Sequence, residues 1–82
     1  MTSAIIVRAK WDPEAKVWVA SSDDVPGLVT EAETPTELEK KLQVMIPELL
    51  EANGMELEAG EAEVPVYVFS EQLTKVRVRS AA

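Results

Sequence analysis

Residues 34–54 read TPTELEKKLQVMIPELLEANG, and this segment decides the fold. Thr34 and Glu37 form a T-x-x-E capping box that begins a helix, and the Asn-Gly pair at 53–54 can end it. The apolar side chains fall on one helical stripe, made by Leu38, Leu42, Met45, Ile46, Leu49 and Leu50. The pattern predicts one amphipathic helix packed on a sheet, with a kink or a break at Pro47.

Short β-branched and aromatic segments on both sides of the helix predict strands. Three of them, residues 4–11, 16–21 and 28–32, precede the helix, and residues 64–69 follow it. A turn at 12–15 joins the first two into an antiparallel hairpin. The order β-β-β-α-β predicts an α+β domain, a two-layer α/β sandwich. Right-handed crossover places the fourth strand parallel to the first at the centre of the sheet.

The C-terminal residues 74–79, TKVRVR, alternate between apolar and basic side chains. They fit an extra C-terminal strand, and they equally fit an edge that pairs with another chain. We therefore expect a homo-oligomer, a dimer or larger, whose candidate interface residues are Val66, Val68, Val76 and Val78. The basic residues of this segment are Lys75, Arg77 and Arg79. A nucleic-acid-binding surface is the weaker interpretation of them, because no aromatic residues are interleaved with these basic side chains.

The composition bounds the possible functions. The 82 residues are enough for a single domain over 1–82. No cysteine and no histidine is present, which removes thiolate chemistry and the commonest general base, so we expect no catalytic residue, no metal and no cofactor. The formal net charge of −7 disfavours direct nucleic-acid binding and favours a basic partner protein. The absence of disulfides, of a signal peptide and of a membrane span predicts a cytoplasmic protein.

Three stretches together resemble a known family: WDPEAKVWVA at 11–20, SDDVPGLVTEAET at 22–34 and IPELLEANG at 46–54. They are similar to HicB-type antitoxins, and more closely to short, stand-alone bacterial HicB-like proteins that lack the DNA-binding segment. The resemblance implies a partial ribonuclease-H-like core that binds and blocks a small basic toxin, one that cuts messenger RNA. Because the chain ends at Ala82, the resemblance leaves no room for a DNA-binding segment, and autorepression is not expected.

The acidic stretch before the helix admits a catalytic and a structural interpretation. Asp23 and Asp24 could ligate Mg²⁺ in a hydrolase, but such a site needs further carboxylates from other elements. Active enzymes of the resembled fold carry an acidic residue in strand 1, whereas this strand carries Arg8 and Lys10. The structural interpretation, aspartates that cap a turn before Pro26, is therefore favoured.

Binding at a protein surface is thus the predicted activity, and the chain is not expected to be an enzyme. The candidate partner-binding residues are Trp18, Asp23, Asp24, Glu56 and Glu58. Trp11 is expected to pack in the core, while Trp18 fits a core or a surface position. The alternative hypothesis is a self-associating protein without a toxin partner, with a small ligand between helix and sheet.

Overall fold

A computed structural model describes residues 4–54 and 63–79. Within these residues the chain forms a four-stranded mixed sheet with one helix on it, an α+β arrangement. The elements are β1 (Ile5–Asp12), β2 (Val17–Ser21), β3 (Val29–Ala32), α1 (Pro35–Ala52) and β4 (Val66–Glu71).

The sheet has the order β3-β2-β1-β4. Strand β1 pairs antiparallel with β2 and parallel with β4, and β2 pairs antiparallel with β3. The predicted hairpin and the predicted parallel pairing are therefore confirmed. The predicted central position of the fourth strand is wrong, because β4 forms an edge and β1 lies inside. A single crossover through the helix adds β4 beside β1, and the described residues place no strand beyond it.

Strand β4 begins at Val66, two residues later than predicted, and the reason is Pro65. Proline has no N–H with which to enter a ladder. Its carbonyl still accepts a hydrogen bond of 2.9 Å from the Ile5 N–H, so the proline immediately precedes the parallel pairing of β1 with β4.

Helix α1 follows the capping signals in the sequence. The Thr34 hydroxyl accepts a hydrogen bond of 3.1 Å from the Glu37 N–H, as the capping box requires. The helix continues through Pro47 and ends at the Asn53 cap, so of the two alternatives at Pro47, a kink or a break, the break does not occur. Its buried residues are Leu38, Leu42 and Ile46, and the rest of the predicted stripe is half-buried.

The hydrophobic core lies between α1 and the inner face of the sheet. Alternate residues of β1 point into it, because successive side chains of a strand lie on opposite faces. The buried core consists of Ile5, Val7, Ala9, Ala20, Val25, Leu28, Ala32, Leu38, Leu42 and Ile46.

Residues 72–79 form no strand within the chain. The fifth-strand interpretation of the KVRVR alternation is therefore wrong for a single copy, and these residues are exposed throughout. We call residues 72–79 the C-terminal arm.

Candidate functional site

The acidic corner, residues 22–28, is fastened to the backbone of β1. The Asp24 Oδ2 atom accepts a hydrogen bond of 2.8 Å from the Ile6 N–H. The Ser22 hydroxyl donates one of 2.6 Å to the Ile6 carbonyl and accepts one of 3.1 Å from the Asp24 N–H. The β1–β2 ladder ends at the pair Arg8 and Ser21. Beyond that pair, the side chains of Ser22 and Asp24 supply the hydrogen-bond partners that a residue of a neighbouring strand would give to the backbone of Ile6.

The next residues of the corner form a tight turn with a buried flank. The Leu28 N–H donates a hydrogen bond of 3.1 Å to the Val25 carbonyl. Gly27 has a φ of +86°, which is the conformation required of glycine in the third position of a turn that has proline in its second position. Val25 and Leu28 are buried in the core. The side-chain amide of Asn53 donates a hydrogen bond of 3.0 Å to the Pro26 carbonyl, and this bond connects the end of the helix to the turn. The corner is thus a structural joint between sheet and helix.

The two aspartates of the corner have different surroundings. Both are exposed, but Asp24 accepts a hydrogen bond from the Ile6 N–H of β1, whereas the described hydrogen bonds include none to the Asp23 carboxylate. Within residues 4–54 and 63–79, no three acidic side chains lie close enough together to hold a metal ion. As contacts for a partner, Asp23 and Asp24 remain predictions.

Both tryptophans lie on the inner face of the sheet. Trp11 and Trp18 are register partners across the hairpin, and their ring centroids are 5.4 Å apart with planes inclined at 58°. Tilted aromatic pairs of this kind are favourable beyond their burial. Both side chains are half-buried, and Trp18 packs against the core while also reaching an open groove.

This groove lies between α1 and β4, because the helix covers only part of the inner face. Val7 of β1 and Val68 of β4 are register partners on that face. Val7 is fully buried, whereas Val68 is 43% exposed and Val66 is 37% exposed. The helix approaches β3 and β2 most closely, which leaves the β4 side uncovered. The resulting groove has a volume of about 1150 Å³.

The groove is acidic and apolar. Its apolar surface is provided by Trp18, Leu42, Ile46, Val66 and Val68, among others. The charged side chains that line it are Glu39, Glu51 and Glu63, and among the described lining residues there is no lysine or arginine. A surface of this kind suits a cationic segment that also carries apolar side chains.

The helix contributes two neighbouring stripes of side chains to the groove, and only one of them was predicted from the sequence. The stripe Leu38, Leu42, Ile46 and Leu50 is apolar and was predicted. The adjacent stripe Glu39, Gln43, Pro47 and Glu51 repeats every fourth residue, so it lies beside the first on the helix surface. That spacing is visible in the sequence and could have indicated the acidic rim.

The structure brings part of the predicted site together. Trp18, Val66 and Val68 all line the groove, while Asp23 and Asp24 lie at the corner outside its lining. The remaining two partner-binding candidates, Glu56 and Glu58, lie outside the described residues.

The other two predicted interface residues lie on the C-terminal arm. Val76 is 76% exposed and Val78 is 79% exposed, and neither belongs to the core. The molecule measures 64 Å in its longest direction and only 26 and 19 Å in the other two. The arm therefore offers apolar side chains that the other described residues leave exposed.

The outer face of the sheet also carries exposed apolar residues. Ile6 is 40%, Tyr67 57% and Phe69 50% exposed, and Ile6 and Tyr67 are register partners. Arg8, on the same face, lies 3.8 Å from the carboxylate of Glu71. In the part of the chain that the structure describes, no helix is both long and apolar enough to cross a membrane.

Comparison with known proteins places the chain in a family. A search of functionally curated proteins gives no match. A crystal structure of the hypothetical protein TTHA1013 from the extremely thermophilic bacterium Thermus thermophilus is 51% identical, covers 93% of this chain and 100% of its own, and superposes with a TM-score of 0.68. The model of the family "Domain of unknown function (DUF1902)" matches residues 4–80, and the chain therefore belongs to the DUF1902 family.

Proposed function

We propose that this protein is a small acidic protein-interaction module that acts by binding rather than by catalysis. In this proposal the groove between α1 and β4 receives a basic, partly apolar segment of a partner protein. The observation that carries the proposal is the lining of the groove, which combines three glutamates with exposed valines and lacks a described lysine or arginine.

The charge of the whole chain supports the same kind of partner. A formal net charge of −7 attracts a basic protein over long distances and accelerates its encounter with the groove. The apolar surface inside the groove then supplies binding free energy at short range. Trp18 adds a large, half-buried aromatic side chain, the residue type most enriched where binding energy concentrates.

The resemblance to HicB-type antitoxins suggests the class of partner. In that family a partial ribonuclease-H-like core binds a small basic toxin, and a β-β-β-α-β order is common to that core and to this chain. We accordingly propose that the partner is a small basic toxin-like protein, and that the complex forms in the cytoplasm.

Affinity capture with matched charge variants tests this function. The groove variant is Glu39→Lys with Glu51→Lys, and the control is Glu31→Lys with Glu48→Lys, exposed positions that do not line the groove. Each pair of substitutions adds four charge units to −7 and gives −3, so the long-range attraction is equally reduced in both.

The tagged wild-type chain and the control should retain one basic protein in stoichiometric amount from native cells, and the groove variant should lose it. Retention by the groove variant, or equal loss from both variants, would count against the groove as the binding site. The absence of a basic protein from the wild-type capture would contradict the function itself.

A second candidate function is self-association without a toxin partner, with a small ligand in the groove. The exposed valines of β4 and of the C-terminal arm favour the self-association part of this hypothesis. A capture from native cells that yields only further copies of the chain would support it.

A further inference from the structure

Among the described residues the sheet has two edges, β3 and β4, and β4 is the longer, with six residues against four. Strand β4 pairs with β1 on one side, and its other side carries backbone N–H and C=O groups that no described strand pairs. All six residues of β4 are exposed, and its apolar side chains show on both faces of the sheet. Such an edge pairs readily with another extended segment.

The C-terminal arm is an exposed segment without regular secondary structure, and its sequence has the matching pattern. Its even-numbered valines, Val76 and Val78, alternate with cations, and it contains no proline that would interrupt a ladder. A tight turn back onto its own β4 is disfavoured, because residues 71–74 are Glu-Gln-Leu-Thr and lack the glycine, asparagine, aspartate or proline that tight turns use. The arm pairs with no described strand of its own chain, so it is available to pair with a second copy.

We propose that two copies of this chain exchange C-terminal arms, so that the arm of each copy pairs antiparallel with the β4 edge of the other. The two-fold axis passes through Gln72, which then lies opposite Gln72 of the second copy. This is an isologous contact, in which the same surface serves on both sides. The inference rests on the arm and the β4 edge, and it is independent of what occupies the groove.

The side-chain register selects this arrangement. A two-fold axis at Gln72 places Val66 opposite Val78 and Val68 opposite Val76, and directly opposed residues of an antiparallel pair share a face. Both valine pairs then extend the inner face at the open side of the groove. A register shifted by two residues keeps only one valine pair between β4 and the arm, and a shift by one moves the arm valines to the outer face.

The outer face gains complementary pairs in the same register. Tyr67 comes to lie opposite Arg77, and Phe69 opposite Lys75. Both aromatic rings are about half exposed in the single chain, at 57% and 50%. Cations beside aromatic rings are favourable, and their aliphatic stems cover apolar surface. The cations of the arm therefore face away from the acidic groove, which stays available to a basic partner.

A symmetric cysteine tests the register. The chain has no native cysteine, so Gln72→Cys introduces a single thiol that lies opposite its own copy across the axis. Mild oxidation should give a covalent dimer, because opposed residues lie within the roughly 4–7 Å between Cα atoms that a disulfide spans. Thr74→Cys is the matched control, since its thiols would lie about 13 Å apart along the strands and should remain reduced.

A second measurement tests the arm directly. Sedimentation equilibrium of the full chain should give twice the mass of one chain, and Val76→Lys with Val78→Lys should weaken self-association by about 100-fold, because it places two charges against the β4 valines. These positions are 76% and 79% exposed in the single chain, so the substitutions do not threaten its fold. They also reduce the net charge from −7 to −5, which lowers the repulsion between copies.

Leu73→Lys is the control for the two valine substitutions. Position 73 lies on the face of the arm opposite to Val76 and Val78, and in this register it is paired with Glu71 of the second copy. It should remain dimeric. A wild-type chain that is monomeric at every concentration would overturn the inference, as would a dimer that survives the two valine substitutions. A covalent dimer from Thr74→Cys and none from Gln72→Cys would also overturn it.

Discussion

Replacing Asp24 by alanine should destabilise the fold, whereas the same change at Asp23 should not. Asp24 Oδ2 accepts a hydrogen bond of 2.8 Å from the Ile6 N–H, and its carboxylate makes this bond charge-assisted. Asp23 is an exposed neighbour of identical chemistry in the same loop. The pair therefore separates a structural role of the acidic corner from a role of its negative charge.

The expected loss follows from the bond that is removed. A hydrogen bond to a charged group contributes about 1.5–3 kcal/mol, and water can partly replace it here because Ile6 is 40% exposed, so we expect Asp24→Ala to cost about 1–2 kcal/mol. For a domain of this size each kcal/mol lowers Tm by about 4–8 °C. Asp23→Ala should stay within about 0.5 kcal/mol.

Thermal unfolding followed by circular dichroism measures the difference. The three proteins must be compared at one concentration, because self-association makes Tm depend on concentration. Asp24→Asn should fall between wild type and Asp24→Ala, since its amide oxygen can still accept the bond without the charge. Equal losses for Asp23→Ala and Asp24→Ala, or no loss for either, would refute the structural role of Asp24.

Three further substitutions, measured by denaturant unfolding, test the helix cap, the turn before β3 and the hydrophobic core. Thr34→Ala removes the helix cap and should cost about 1 kcal/mol, while Thr36→Ala in the same turn should be nearly neutral; equal effects would contradict the cap. Gly27→Ala should lower the free energy of unfolding by about 1–2 kcal/mol, because alanine is strained at a φ of +86°. The new Cβ would lie 3.6 Å from Leu49 Cδ2, an ordinary contact, so no clash adds to this cost; an unchanged stability would argue against this turn. Leu42→Ala, in the core at 3% exposure, should cost about 2–5 kcal/mol, and a loss below about 1 kcal/mol would contradict its burial.

Local signals explain which parts of the fold could be predicted. The capping box at Thr34 and the apolar stripe of α1 each depend on residues within a few positions of one another, so the sequence contains them directly. The parallel pairing of β1 with β4 could be predicted because a helix precedes the last strand, and a crossover through a helix joins parallel strands.

The remaining features depend on contacts between distant residues. The bond from Ile6 to Asp24 joins positions eighteen apart, and the acidic residues of the corner alone did not indicate it. The groove exists because α1 lies toward β3 and leaves Val68 of β4 exposed, which is a result of packing and not of any local pattern. The edge position of β4 is likewise set by the assembled sheet.

Photo-crosslinking in native cells tests the central claim, that the protein acts by holding a basic partner in the groove. A photoreactive phenylalanine analogue at position 43 lies in the groove, and the same analogue at position 44 lies on an exposed helix position outside it. We expect the chain labelled at Gln43 to form one major adduct with a small basic protein, and the chain labelled at Val44 to form none. Equal adducts from both positions, adducts of the chain with itself alone, or no adduct from position 43 would contradict the proposed function.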